Sequence, residues 1–369
     1  MAKLLEHSFG NNKPFSLGAE EELFLVDPVT GRMVNTSAAV TERLASAMGG
    51  IERELHAGMI EFVSDVCGNA REVIGQLAHR RAACLGTGVG LLGSGTHPTA
   101  ADEEARISDK ERYERIHNLL GEAVAIPVAG LHVHVGMPDP ETAIKVFNAL
   151  RIQLPLLQAL SANSPFRNGR DTGLASARGV IIRGWPRSGV PRAMRGYQDF
   201  CDTADLLTRA AGVDDYTWFW WKLRPHPKLG TVEIRTFDAQ GSLHDAEALI
   251  ALTHCLARAA AEMDEVQKLP TELLEEGMFR ATRFGVDAQL PDANGDLHEF
   301  EEVLAETLEH ARPFVRELDC EAALARIPAI AAMGGASGRQ RAVHELSGMD
   351  SLLRELIATT AQTAGITQN

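Results

Sequence analysis

Residues Ser16–Val26 read SLGAEEELFLV, with apolar side chains recurring at period two between a Lys-Pro before and an Asp-Pro after. That pattern predicts a β-strand. On it Glu20 and Glu22 face one way, while Leu17, Ala19, Leu23 and Leu25 face the other together with Glu21. Carboxylates two apart on one strand face repel each other and are depleted from strands, so solvent or a cation must offset them.

Other stretches share the alternation. In GLHVHVG (Gly130–Gly136), His132 and His134 share a face opposite Leu131, Val133 and Val135. In TVEIRTF (Thr231–Phe237), Glu233 and Arg235 lie opposite Val232 and Ile234. Ile51–Val66 mixes strand signals with Gly58, and the odd spacing of Glu54 and Glu61 has two solutions. Either Gly58 makes a bulge or Glu54 lies outside the strand. Each polar pair alone fits a solvated sheet face. Gathered by antiparallel pairing onto one face, they form an oxygen-rich set with imidazoles, suited to Mg²⁺ or Mn²⁺ rather than structural zinc.

Positive charge concentrates in Asn163–Arg195, a Gly-, Pro- and Ser-rich stretch that reads mostly as loop, mobile until it closes over a ligand. It carries Arg167, Arg170, Arg178, Arg183, Arg187, Arg192 and Arg195 against Asp171 alone. A solvated loop is one reading; bidentate capture of carboxylate or phosphate is the other, with Arg224, Arg235, Arg339 and Arg341 available to help.

The 369-residue chain has a net charge of −14, which argues against a general nucleic-acid or anionic-membrane binder. It has no apolar run long enough to span a bilayer, and MAKLLEHSFGNNK lacks a signal-peptide core. Its five cysteines are widely spaced and never CxxC, as expected of reduced thiols in the cytoplasm. The GxGxxG at Gly88–Gly93 follows a charged helical stretch, which excludes a dinucleotide fingerprint, and neither GxSxG nor a Walker motif is present.

Between the strands, helices are predicted over Thr36–Met48, Asn69–Leu85 (with Arg71, His79, Arg80 and Arg81 on its polar side), Ser108–Glu122 and Asp199–Ala211. Asp139-Pro140-Glu141 starts another, running towards Leu160. Tyr216–Leu223 reads as a strand joined to Thr231–Phe237 through RPHPKLG. The remainder is mainly helical: Leu243–Lys268, Thr271–Met278, Leu297–Leu318 and Glu345–Gln362. The expectation is an α+β fold in one domain over residues 1–369, strand-rich in 1–240 and helical in 241–369, with a mainly antiparallel sheet.

Taken together, LGAEEELFLVDPVTG (Leu17–Gly31), ELHAGMIEFVSDVC (Glu54–Cys67), GLHVHVG, SANSPFRNGRDTGLASARG (Ser161–Gly179), WPRSGVP (Trp185–Pro191) and LRPHPKLGTVEIRTFD (Leu223–Asp238) resemble the glutamate–cysteine ligase family. The match is to its bacterial carboxylate–amine ligase, or glutamate–cysteine ligase type 2, group. The resemblance implies a glutamine-synthetase-like antiparallel sheet forming an open funnel, with helices packed outside. It implies metal ligation by Glu20, Glu22, Glu54, Glu61, His132 and Glu233, and places Arg178, Arg224 and Arg235 at the substrate and phosphate end. His134 fits the motif without an assigned part.

The implied reaction uses ATP to convert a carboxylate, the γ-carboxylate of glutamate, to an acyl phosphate. An amine such as that of cysteine then attacks it. Glu20, Glu22, Glu54, Glu61, His132 and Glu233 would hold the Mg²⁺, and Arg235 and Arg178 would neutralise charge on the transferred group. The partners expected are small molecules, with neither nucleic acid nor membrane, and a homodimer stays open. Two other classes use the same residues: a metal-dependent amide hydrolase, and a nucleotide or amino-acid sensor without turnover.

Overall fold

The computed structural model describes residues 3–362. Its centre is a seven-stranded sheet built from β1 (Leu17–Val26), β2 (Ile51–Arg53), β3 (Met59–Val63), β4 (Gly90–Leu92), β5 (Gly130–Gly136), β6 (Leu223–His226) and β7 (Thr231–Asp238). Every pairing is antiparallel, in the order β2-β3-β1-β5-β7-β6, with β4 also on β1. The fold is therefore α+β, as expected.

Strand periodicity sorts the side chains. Leu23, Leu25, Leu131, Val133, Val135, Val232 and Ile234 are fully buried. The helices Ala70–Leu85, Pro140–Ser161 and Leu243–Glu262 pack on the sheet. Each fully buried aliphatic side chain contributes about 1.5–3 kcal/mol to holding the layers together. Pro140–Ser161 begins as its sequence predicts, with the Asp139 carboxylate accepting from the Thr142 N–H at 2.8 Å, and it runs through Pro155 as one helix. Among the described residues no helix is long and apolar enough to cross a membrane.

Glu21 is the exception on the apolar face. It is fully buried and ion-paired with Arg81, whose Nε donates to Glu21 Oε2 at 2.8 Å. Arg81 also donates to the carbonyls of Gly241, Gln240 and Thr360, joining sheet and helices. Arg81 thus belongs to the core and not to the polar side of its helix; Arg80 is mostly buried as well.

Of the two solutions for Ile51–Val66 the second holds: it forms two short strands, and Glu54 lies outside both, in the turn between them. Two other expectations change. Tyr216–Leu223 is not a strand: Asp215 caps a 3₁₀ turn at Tyr216–Trp218 through the Thr217 N–H, and the strand is Leu223–His226. Pro225 is tolerated there because β6 is the sheet edge. Asn163–Arg195 contains the helix Ala177–Arg183 and is tied down at its start. Buried Asp238 accepts from Asn163 N at 2.9 Å, Ser164 Oγ at 2.7 Å and Ser176 Oγ at 2.9 Å. Helix ends differ too, the longest predicted helix of the tail stopping at Glu262.

Candidate active site

The polar sheet face is assembled by register. Glu20 lies opposite His132, Glu22 opposite Glu61, His134 opposite Glu233, and Glu233 opposite Arg224. A bulge in β7 across from Leu131–Val133 brings Arg235 beside His132, with Nη1 3.4 Å from Nδ1. Glu54 reaches in from the β2–β3 turn, its carboxylate accepting from the Leu55 N–H at 2.6 Å. Arg178 arrives from the short helix, buried against Gly130, where any Cβ would collide with its guanidinium. It donates to the carbonyls of Thr236 at 3.2 Å and Arg235 at 3.3 Å.

One cavity of about 230 Å³ is lined by Glu20, Glu22, Glu54, Glu61 and His132 together with Arg178, Arg224 and Arg235. Glu233 lies beneath it, fully buried and ion-paired to both Arg224 and Arg235. All nine residues singled out from the sequence therefore converge. His134, unassigned there, joins them: Nε2 is 3.3 Å from Glu20 and 4.0 Å from Glu233, while Nδ1 is oriented by Thr231 Oγ1 at 3.0 Å. Sequence reasoning missed Lys222, Tyr113, Trp185 and Trp220 in the lining. The one sign of Lys222 was a lone cation after the aromatic run Trp218–Trp221.

The cavity has two electrostatic halves. Burial raises the Glu20 carboxyl, but hydrogen bonds and charge from His132 and His134 outweigh it and hold Glu20 well below its ordinary range. Glu233 is likewise buried, yet Arg224 and Arg235 keep it ionised. In the other half, burial and the Glu54 charge push Glu22 up to about 8. Burial also raises Glu54, and burial with the charges of Glu20, Glu54 and Glu22 raises Glu61 well above normal. Three acids held together with raised pKa values are short of positive charge.

The donor geometry fits a divalent cation. Ligand atoms of Glu20, His134 and Glu233, of Glu20, Glu61 and His132, and of Glu22, Glu54 and Glu61 each lie within 4.8 Å of one another. The groups share Glu20 and Glu61, forming a continuous oxygen-rich track of the kind Mg²⁺ or Mn²⁺ prefers.

The arginine-rich stretch gives a narrower picture than its composition. Arg167 pairs with Asp102, Arg183 with Glu275, and Arg192 and Arg195 with Asp199. Asp171 is taken by Arg341, and Asp245 by Arg339. Of the seven arginines between Asn163 and Arg195, Arg178 alone lines the cavity. Among the described residues no serine or cysteine lines it.

Comparison with known proteins agrees with this picture. The family model described as "Glutamate-cysteine ligase family 2" matches residues 16–353. Two proteins of Rubrobacter xylanophilus are similar over nearly their whole length. "Putative glutamate--cysteine ligase 2-1" is 38% identical over 93% of this chain and 94% of its own, and "Putative glutamate--cysteine ligase 2-3" is 37% identical over 97% and 100%. Among solved structures, the glutamate–cysteine ligase of Francisella tularensis in complex with AMP shares the fold, with TM-score 0.70 at 12% identity over 97% of this chain and 90% of that one. A bifunctional glutathione synthetase from Pasteurella multocida gives 0.71 at 16% identity over 95% of this chain, which spans about half (52%) of that longer chain.

Proposed function

The chain belongs to glutamate–cysteine ligase family 2, as a ligase of the class that forms carbon–nitrogen bonds, and on that premise we propose that it activates a glutamate-like carboxylate with ATP and passes the acyl group to an amine. The γ-phosphoryl of ATP moves to the carboxylate, giving an acyl phosphate and ADP. The amine then displaces phosphate and leaves an amide. We read the chain as one catalytic unit acting on small molecules in the cytoplasm.

The observation that carries this reading is a single cavity lined by acids, histidine and arginines together. Mg²⁺ or Mn²⁺ held by Glu20, Glu22, Glu54, Glu61, His132, His134 and Glu233 would neutralise the nucleotide phosphates. Arg235, fixed by Glu233 and set beside His132, is placed to meet charge growing on the transferred group. Arg178 is locked by backbone carbonyls and Asp238, so its guanidinium meets substrate without rearranging. Arg224 is held by Glu233 and by the carbonyls of Thr217 and Phe219 at 3.1 Å, which makes it a fixed cation at the rim.

Incubation with ATP, Mg²⁺, L-glutamate and a panel of amines, cysteine among them, tests the reading. ADP should form over many turnovers only when both a carboxylate and an amine are present, together with an equal amount of amide. ATP-independent amide cleavage, or nucleotide binding without turnover for any pair, would refute it.

A further inference from the structure

Lys222 follows Trp221 and precedes β6, and its carbonyl accepts from the Arg235 N–H at 2.8 Å. Its side chain lines the cavity beside Arg178, Arg224 and Arg235 and is only 3% exposed. The three arginines are engaged: Arg224 and Arg235 with Glu233, Arg178 with Asp238 and two carbonyls. Lys222 Nζ, in contrast, is buried without a hydrogen-bond partner among the described residues.

An ammonium has three donors and no acceptor, so burial without an acceptor is costly. A fold that keeps one does so against its own stability. Such groups concentrate where a ligand supplies the missing partner. The cavity is where that partner can come from. Lys222 also borders a second, larger cavity lined by Glu272, Glu275 and Glu276; of these only Glu275 is among the charges acting most on Lys222, and it is already held by Arg183 at 3.2 Å and by the Val190 N–H at 2.8 Å.

The kind of anion follows from position. The charges acting most on Lys222 are Arg178, Asp238, Glu275 and Arg183, none of them an acid of the candidate metal groups. Burial first, and then Arg178, depress its ammonium to about 7, as for an amine short of counter-charge that a bound anion would supply. A phosphoryl group in transfer belongs next to the metal groups, where Arg235 stands. Lys222 lies instead by Arg178, the basic residue of the lining whose charge acts most on it, and neither Arg235 nor any candidate metal acid is among the charges that do.

We propose that Lys222 binds the carboxylate of the donor substrate that is not activated, the α-carboxylate if the donor is glutamate, and so makes the site select an amino dicarboxylate. This rests on the ligase reading above. Together with Arg178, Lys222 fixes one end of the donor while its other carboxylate is presented to the phosphoryl group. A donor lacking the second carboxylate leaves Lys222 buried and unpaired, which is an effective way to reject it.

Titration calorimetry in the presence of Mg²⁺ and a non-hydrolysable ATP analogue tests the assignment, with L-glutamate and its α-carboxamide, L-isoglutamine, as probes. The wild-type protein should bind glutamate more tightly than isoglutamine by about 10- to 100-fold, the scale of one charge-assisted hydrogen bond. Lys222→Met should lose that preference by weakening glutamate alone, with affinity for the ATP analogue unchanged and a melting temperature no lower than wild type. Lys222→Gln, which keeps a donor, provides a second neutral variant and should show the same loss of preference, in smaller degree. Equal weakening of both probes, weakening of neither, or weakening of the ATP analogue instead would overturn the assignment while leaving ATP-dependent ligation intact. A wild-type protein that binds neither probe and makes no amide refutes the ligase reading and this assignment with it.

Discussion

Glu22→Gln separates a metal-binding carboxylate from one that merely supports the fold. Glu22 is 9% exposed, and its carboxyl is raised from 4.5 to about 8 by burial and then by Glu54. The folded state therefore keeps a proton that the unfolded chain releases between those values. With fewer protons on the unfolded side, stability of the metal-free protein falls as pH rises from 4.5 to about 8. At about 1.4 kcal/mol for each tenfold change, the full window amounts to about 5 kcal/mol, and about 3 kcal/mol of it has accrued by pH 7. Gln removes the charge yet keeps an oxygen for the Gly130 N–H, which Glu22 accepts at 2.6 Å. Denaturant unfolding in chelator should thus show the variant more stable than wild type by about 3 kcal/mol at pH 7, and equal to it near pH 4. Adding Mg²⁺ should close most of that gap. Wild type gains about 2.7 kcal/mol at a hundred times its dissociation constant, and the variant gains little. Turnover should fall by at least about 100-fold. A variant that is less stable in chelator, or that Mg²⁺ stabilises as much as wild type, would refute the reasoning.

Glu233→Gln is expected to lower both turnover, by at least about 100-fold, and stability, by about 3–5 kcal/mol, because Arg224 and Arg235 would share a buried site without their counter-charge; activity corrected for the folded fraction separates the two effects. Arg81→Met should cost about 3–5 kcal/mol in chemical denaturation by stranding Glu21, and Arg81→Met with Glu21→Leu should recover most of it. In hydrogen exchange, Asn163 and Ala177, whose amides are bonded to Asp238 and Ser164, should be protected without ligand. Slowing on addition of an ATP analogue and Mg²⁺ should be confined to the segment around Trp185, which lines the cavity; uniform slowing across Asn163–Arg195 would restore the mobile-loop expectation.

What the sequence revealed followed from period two. Glu20, Glu22, His132, Glu233 and Arg235 each alternate with aliphatic neighbours, so their faces were legible without knowing which strands pair. Pairing partners were not. Arg81 looked like a polar-side residue because its helix carries five other charged or polar residues, while Glu21, which pairs with it, lies sixty residues away in sequence. Four arginines of Asn163–Arg195 looked free for the same reason: Asp102, Asp199 and Glu275 pair with Arg167, Arg192, Arg195 and Arg183 across distances the sequence does not show. Strand β6 was hidden by Pro225, a breaker in any central strand and harmless at an edge. Lys222 escaped notice because a lone lysine beside aromatic residues does not disclose whether its amine meets water, a carboxylate or nothing.

Isotope transfer tests the central claim most directly. L-Glutamate labelled with ¹⁸O in its γ-carboxylate is incubated with the protein, ATP, Mg²⁺ and an accepting amine, and the released phosphate is analysed by mass spectrometry. An acyl phosphate requires one labelled oxygen to leave with the phosphate, so each phosphate formed alongside amide should carry a single ¹⁸O. Unlabelled phosphate accompanying amide formation, or amide turnover with no ATP consumed, would contradict the account.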